Sequence, residues 1–267
     1  MSHAHQDLAD VLVIIPVLNE AATIAQVVHT LREHYGFPTV CVVDNGSTDD
    51  SAALAAAAGA WVIHEPRPGY GQACWRGLQE LEQFPKVEWV FFCDGDGSDD
   101  LSELSEFLQR RSEFDLIVGD RTMTLAGRSV MTGPQLLGNA LATTLIRWGW
   151  GFQYHDLGPL RLIRRSALEA IAMRDRGFGW TLEMQVRAIE CGLRICEVPV
   201  NYRPRQGGKS KISGTLQGSF KAGTTILSTL GHLYWRSAAS PLLMLSTLLL
   251  VVGSALAMPY GDFLQTG

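Results

Sequence analysis

Val11-Leu-Val-Ile-Ile-Pro-Val-Leu-Asn-Glu20 joins an apolar run to a polar loop. Its first five residues are continuously apolar, the pattern of a strand covered on both faces. The run stops at Pro16, and Pro16–Glu20 is expected as a loop. Ile24, Val27, Val28 and Leu31 then recur at helical spacing. The unit repeats downstream: Val40–Val43 reads as a second buried strand, ending in Asp44-Asn-Gly-Ser-Thr-Asp49, and Ser51–Ala58 as a helix closed by Gly59. Trp61–Ile63 is a third strand, Gln72–Phe84 a helix, and Val87–Cys93 a fourth strand running into Asp94-Gly-Asp-Gly-Ser-Asp-Asp100. Leu101–Arg111 reads as helix and Leu116–Val118 as another strand. This alternation predicts an α/β fold, a mostly parallel sheet flanked by helices.

In such sheets ligands bind beyond the carboxyl ends of the strands. The loops PVLNE, DNGSTD and DGDGSDD all follow strands, so they are expected along one rim. Any one of them alone reads as turn chemistry. Together they place acceptor groups side by side, and Asp94 and Asp96 are separated by a single glycine. Two carboxylates held that close repel unless a cation lies between them. A hard divalent ion, Mg²⁺ or Mn²⁺, is the natural partner, and it commonly shares its shell with substrate phosphates. The expected ligand is therefore of nucleoside diphosphate type.

Charge is distributed unevenly along the 267 residues. The net charge of −5 combines 15 Lys+Arg against 25 Asp+Glu in residues 1–193, seven basic residues against one acid, Glu197, from Arg194 to Arg236, and the single Asp262 beyond. An acidic body disfavours a general nucleic-acid partner, which needs clustered Lys and Arg. The 46% hydrophobic content excludes disorder. Five cysteines without a CxxC pair argue against disulfides or a zinc cage and favour a reducing compartment. No basic and apolar secretory leader stands at the N-terminus.

Two other acidic motifs compete for Asp94–Asp100. An EF-hand would need Gly at 99 and Glu at 105, where Asp99 and Ser105 stand. The DxDG[ST] phosphatases match Val90–Ser98, but their motif opens the fold, and here about ninety residues of α/β pattern precede it. Under that alternative PVLNE and DNGSTD have no role.

The ordered set PxxNE, D-[DN]-G-S-x-D and DxD resembles the family 2 glycosyltransferases of GT-A fold. Pro68-Gly-Tyr-Gly-Gln-Ala73, Gly119-Asp-Arg121, Asp156-Leu-Gly-Pro-Leu-Arg161, Trp180-Thr-Leu-Glu183 and Arg205-Gln-Gly-Gly-Lys-Ser-Lys211 extend the likeness to the dolichyl- or polyprenyl-phosphate sugar synthases, over Val11 to Ser213. The resemblance implies a base and ribose pocket lined by Pro16, Leu18, Glu20 and Asp44. It implies a metal and donor diphosphate at Asp94 and Asp96, with Gly95 permitting close backbone approach. Arg121, Arg205, Ser210 and Lys211 would embrace phosphate.

The chain departs from the pattern at Asn45, which replaces a usual Asp, at Asp120, which replaces a Ser, and at the shortened DLGPLR, where Asp156 is expected to orient the acceptor or Arg161. The implied reaction is inverting displacement at an anomeric carbon, moving a hexose from a UDP- or GDP-sugar to a polyprenyl phosphate. A related transferase with a hydroxyl acceptor would need a base, and Glu183 is the candidate, with a helix N-terminal carboxylate as its plain structural alternative. His155 reads as structural.

Gly218–Trp235 reads as an amphipathic interfacial helix. Ala238–Met258 is 21 residues without a charge; at ~1.5 Å per residue it matches the ~30 Å hydrocarbon core of a bilayer. The expected organisation is an N-terminal tail (1–10), a GT-A catalytic domain (11–215, with a nucleotide-binding part 11–118 and an acceptor part 119–215), an interfacial helix (216–236), and a transmembrane helix with a short tail (237–267). The basic segment ahead of the span predicts a single-pass membrane protein whose catalytic domain faces the cytoplasm.

Overall fold

The computed structural model describes residues 8–205 and 228–235. Seven strands and eight helices alternate over the first of these segments. They are β1 (Val11–Val17), α1 (Ile24–His29, prolonged by a π turn at Thr30–His34), β2 (Thr39–Asp44), α2 (Ser51–Ala57), β3 (Trp61–His64), α3 (Tyr70–Gln79) and β4 (Trp89–Phe92). There follow α4 (Leu104–Arg110), β5 (Leu116–Asp120), α5 (Leu125–Val130), α6 (Gly133–Trp150), β6 (Arg161–Arg164), α7 (Arg165–Ile171), α8 (Trp180–Glu190) and β7 (Ile195–Pro199).

The strands form one sheet in the order β3-β2-β1-β4-β6-β5-β7. All pairings are parallel except those of β6, which runs antiparallel to both β4 and β5. The strand pattern of the first 118 residues is thus met element by element. Along β1 the side chains alternate between two cores. Val11, Val13 and Ile15 join Ile24, Val28, Leu31 and Phe107 on one face. Leu12 and Ile14 join Ala73, Cys74, Leu78 and Met184 on the other. Both faces are covered, which is why the strand reads as an unbroken apolar run. Cys41, Cys74 and Cys93 are free and buried, packed as small hydrophobes.

β1 continues two residues past its expected end. Asn45 N–H donates to the Val17 carbonyl, so the polar backbone of Val17 faces β2 and that of Pro16 faces the other side. There pairing with β4 ends at Ile14↔Phe92. Pro16 lacks an N–H where no partner strand requires one.

A third core joins α6 and α8 to the helical residues 228–235: Ala142, Ile146, Leu182, Val186, Leu230 and Leu233 are buried together. Two residues of the expected interfacial helix therefore pack inward on the body, while Trp235 is exposed. α6 begins with a Thr132/Gln135 capping box and Pro134 in its first turn, and it ends at Gly151 in the left-handed region. No helix among the described residues is long and apolar enough to cross a membrane. The expected span, Ala238–Met258, lies outside the described residues, as do Ser210 and Lys211.

Candidate active site

The register brings the three polar loops to one rim, because β1, β2 and β4 are parallel and end together there. β6 adds to that rim with its opposite end. Arg161, its first residue, pairs with Phe92 of β4 and Val118 of β5, so the preceding segment 156–160 lies beside the carboxyl ends of both.

The first two loops are laced together. Asn19, in the left-handed region at φ 55°, donates its N–H to Ser47 Oγ (2.9 Å) and accepts Thr48 N–H at Oδ1 (2.7 Å). Glu20 N–H donates to Ser51 Oγ at 2.8 Å. Asp44 is buried; it accepts Ser47 N–H and faces His64 Nδ1 at 3.2 Å. Pro16, Leu18 and Glu20 are partly exposed along the same edge.

Asn45 explains its own departure from the usual Asp. Its amide donates to the carbonyls of Glu65 (2.9 Å) and Arg67 (2.7 Å), and its Oδ1 accepts Gly69 N–H (2.8 Å). A carboxylate has no donors for those two carbonyls. Asn45 thereby holds the glycine-rich segment 68–73 against the rim. Gly71 in turn touches backbone: a Cβ there would lie 2.6 Å from the Arg176 carbonyl carbon.

In the third loop, Gly95 is required by the protein itself, since a Cβ would come within 2.9 Å of Val17 and 3.3 Å of Ile15 and Ile24. Thr23 Oγ1 donates to the Gly95 carbonyl at 2.7 Å and ties this loop to the first. Asp99 Oδ2 accepts Asp94 N–H, and Asp96 Oδ1 accepts Ser98 N–H and Oγ–H. Asp96 Oδ2 is buried and makes no hydrogen bond. It stands 2.6 Å from Arg205 Nε as an ion pair lacking hydrogen-bond geometry. Burial, with Asp99 and Asp96 as neighbours, pushes Asp94 well above the usual carboxylate range. Burial also raises Asp99, to about 7. This crowding of carboxylates, with one buried oxygen unbonded, fits a divalent cation.

The basic segment reaches this loop through Arg203 and Arg205. Arg203 N–H donates to the Ser98 carbonyl, and Arg203 Nη2 to Asp100 Oδ1 at 3.0 Å. Arg205 Nη1 stands 3.8 Å from Glu20 Oε1, so Arg205 spans two of the three loops.

Arg121 is committed elsewhere. Its Nε and Nη2 donate bidentately to Asp156 Oδ2 (2.7 Å) and Oδ1 (2.9 Å), its own N–H also reaches Oδ2, and its guanidinium lies over the Tyr202 ring. Asp156 thus orients Arg121 and not Arg161, which corrects one branch of the expectation that it orients the acceptor or Arg161. Arg161 is buried among the carbonyls of Gly158 and Thr181 and the Gln185 amide oxygen, and burial lowers it to about 10.

Glu183 is buried in the first turn of α8, and its Oε2 accepts the backbone N–H groups of Arg174 (2.8 Å) and Asp175 (2.6 Å). It fastens the loop that packs on Gly71.

Among the described residues, reading the motifs missed the constellation of Asp120, His155 and Glu197, whose ligand atoms lie within 4.8 Å of one another. Asp120 in place of serine was its visible signal.

A doubly covered sheet with paired carboxylates at its carboxyl rim is the arrangement of GT-A glycosyltransferases. The chain belongs to glycosyl transferase family 2, whose model matches residues 12–172. It is similar to an uncharacterised glycosyltransferase of Mycobacterium tuberculosis, 37% identical over 214 residues that make up 79% of this chain and 94% of that protein. It is also similar to the polyprenol monophosphomannose synthase of Mycolicibacterium smegmatis, 33% identical over 221 residues (76% and 81%). Among solved structures it resembles glucosyl-3-phosphoglycerate synthase from Mycobacterium tuberculosis in complex with Mn²⁺, UDP-glucose and phosphoglyceric acid. There the TM-score is 0.62 at 22% identity, covering 83% of this chain and 79% of that one. Membership of this family sets aside the DxDG[ST] phosphatase alternative: the motif ends the fourth strand of an established glycosyltransferase sheet.

Proposed function

We infer that this glycosyltransferase moves a hexose from a UDP- or GDP-sugar to a polyprenyl phosphate, with inversion, in a reaction that requires Mg²⁺ or Mn²⁺. The observation that carries the donor half is the unbonded, buried Asp96 Oδ2 beside Asp94 at the rim. Asp94 and Asp96 hold the cation, which when bound supplies positive charge to the leaving diphosphate. Pro16, Leu18, Glu20 and Asp44 line the base and ribose pocket. Arg205 exchanges Asp96 for phosphate, with Ser210 and Lys211 as its partners.

The acceptor half rests on a different feature. Leu125 (92% exposed), Leu137 (73%) and Trp148 (71%) stand on α5 and α6, with Leu141 and Met123 also exposed. On α6, Leu137, Ala140, Leu141, Thr144 and Trp148 recur at helical spacing on one uncharged stripe interrupted by Arg147. Such a face suits the interface of a bilayer. The M. smegmatis relative, named for a polyprenol phosphate product, supports the same acceptor class. An acceptor phosphate oxygen is already anionic, so no strong base is needed, and Glu183 serves as a positioning residue. In this reading residues 11–118 bind the nucleotide and 119–215 the acceptor. Residues 216–236 lie at the interface, and 237–267 anchor the chain with its catalytic domain on the cytoplasmic side.

The test follows label from UDP- and GDP-sugars into vesicles containing polyprenyl phosphate, with Mn²⁺ present. Transfer by the wild type, lost in Asp96→Ala that retains its circular dichroism and lost in excess chelator, is expected. Wild-type rates in that variant or in chelator would refute the metal-dependent donor site. Transfer to phosphoglycerate but not to vesicles would refute the lipid acceptor.

A further inference from the structure

We propose that Asp120, His155 and Glu197 form a second divalent-cation site, separate from Asp94 and Asp96, that takes a transition metal such as Zn²⁺ or Mn²⁺. Asp120 ends β5, Glu197 lies within β7, and His155 sits in the segment before β6, so three parts of the fold converge on one point.

Each carboxylate presents one oxygen to the site and has the other fixed outside it. Asp120 Oδ1 accepts the N–H and Oγ–H of Thr122, both at 2.7 Å. Its Oδ2 is buried on a residue with no solvent exposure and makes no hydrogen bond. Glu197 Oε1 accepts the backbone N–H groups of His155 (2.8 Å) and Asp156 (3.2 Å), while Oε2 turns to the imidazole. His155 Nδ1 lies 2.7 Å from that Oε2 and 3.9 Å from Asp120 Oδ2. Anchored far oxygens are how surrounding hydrogen bonds aim metal ligands.

An imidazole carrying its proton on Nδ1 satisfies this arrangement only in part. It donates one bond to Glu197 and leaves Asp120 Oδ2 beyond hydrogen-bond reach, a costly state for a buried carboxylate oxygen. A cation with bonds of about 2.0–2.2 Å spans His155 Nδ1 and Asp120 Oδ2 as they stand and draws Glu197 Oε2, beside the imidazole, into the same shell. The side chain of His155 is 48% exposed, which provides an entry path and room for water ligands. His155 Nε2 lies 3.4 Å from the nitrogen, Nε2, of the Gln153 side-chain amide. With that amide oxygen turned inward, it accepts the Nε2 proton and points the Nδ1 lone pair at the metal. One nitrogen and two carboxylates suit Zn²⁺ or Mn²⁺ better than Mg²⁺ or Ca²⁺, which favour all-oxygen shells.

The position also states what the ion does. Asp120 precedes Arg121 and His155 precedes Asp156, the two halves of the bidentate ion pair. A cation behind them locks that pair and joins β5, β7 and the segment leading into β6.

The test uses the full chain, stripped with chelator and then equilibrated with Zn²⁺ or Mn²⁺. Elemental analysis is expected to find one more bound equivalent in the wild type than in His155→Ala. Bound Mn²⁺ should show imidazole ¹⁴N coupling in pulsed electron paramagnetic resonance, absent in His155→Ala and Asp120→Asn. Metal should raise the unfolding midpoint of the wild type more than that of either variant. His155 is partly exposed, so its replacement leaves the fold intact; if Asp120→Asn fails to fold, Glu197→Gln replaces it. Equal stoichiometry in wild type and His155→Ala, ¹⁴N coupling that survives in His155→Ala, or uptake of Mg²⁺ or Ca²⁺ alone would overturn the assignment. None of these readouts depends on sugar transfer.

Discussion

Arg205 Nε and Asp96 Oδ2 stand 2.6 Å apart, so a cation of the basic segment neutralises the second carboxylate of the DGDGS loop. The two residues are 109 positions apart in the chain, and the contact is possible because residues 202–205 run beside 98–100, with Tyr202 bridged to Asp99.

On the proposed metal site, Arg205 and the cation compete for one oxygen. Arg205→Ala is expected to tighten Mn²⁺ binding in the absence of nucleotide while lowering kcat/KM for transfer by about tenfold or more. Calorimetric Mn²⁺ titration beside steady-state kinetics checks this. Weaker Mn²⁺ binding in the variant would refute the competition.

Asn45→Asp restores the residue more usual in this motif, and here it should harm the protein. The carboxylate would face the carbonyls of Glu65 and Arg67 with no proton to give. A loss of about 2–4 kcal/mol is expected from two unsatisfied acceptors. Urea denaturation measures it, and an unchanged midpoint would refute this role.

Glu183 can be separated from a general base by two substitutions. Glu183→Gln keeps an oxygen for the N–H groups of Arg174 and Asp175 and should retain activity within about threefold, whereas loss of a general base typically costs ~10²–10⁴. Glu183→Ala strands both N–H groups and should lower stability by about 1–3 kcal/mol. A hundredfold fall in kcat for the Gln variant, with stability unchanged, would make Glu183 the base instead.

Asp115 supplies a pH signature far from the rim. The Arg194 side chain, which donates to both its oxygens, holds its pKa at about 2, below the ordinary carboxylate value. A depressed folded pKa contributes stability above the unfolded value of about 3.9, and that contribution is lost as pH falls toward the folded one. Asp115→Asn should therefore be less stable than wild type at pH 6, with the gap closing between about pH 4 and pH 2. Thermal unfolding across that range checks the sign.

The legible parts of this chain are those where a local pattern has one structural meaning. Strands buried on both faces cannot avoid reading as apolar runs, so β1 to β5 and the loops after β1, β2 and β4 were evident. β6 was not. Its four residues begin and end with arginine, and its antiparallel direction depends on partners in β4 and β5 far away in sequence. The same distance hides side-chain commitments. Glu183 is bound by backbone eight and nine residues earlier, and Asp156 chooses Arg121 over the nearer Arg161, because Arg161 is enclosed by carbonyls. Asp120 and His155 were noticed singly; Glu197 joins them only through the β5·β7 register.

The wedge position of β6 also bears on how the chain acquires its shape during synthesis. β1 to β4 and their helices can assemble as soon as they emerge, since each pairs with a strand already made. β5 cannot join them, because the strand that connects it to β4 starts only at Arg161. Until then Leu116–Val118 is a bare apolar edge waiting for both of its neighbours, β6 and β7. Unpaired strands of this kind are where nascent chains aggregate. The interval of greatest hazard for this enzyme thus falls between the synthesis of β5 and that of β7, when half the sheet is complete and the other half has nothing to hold.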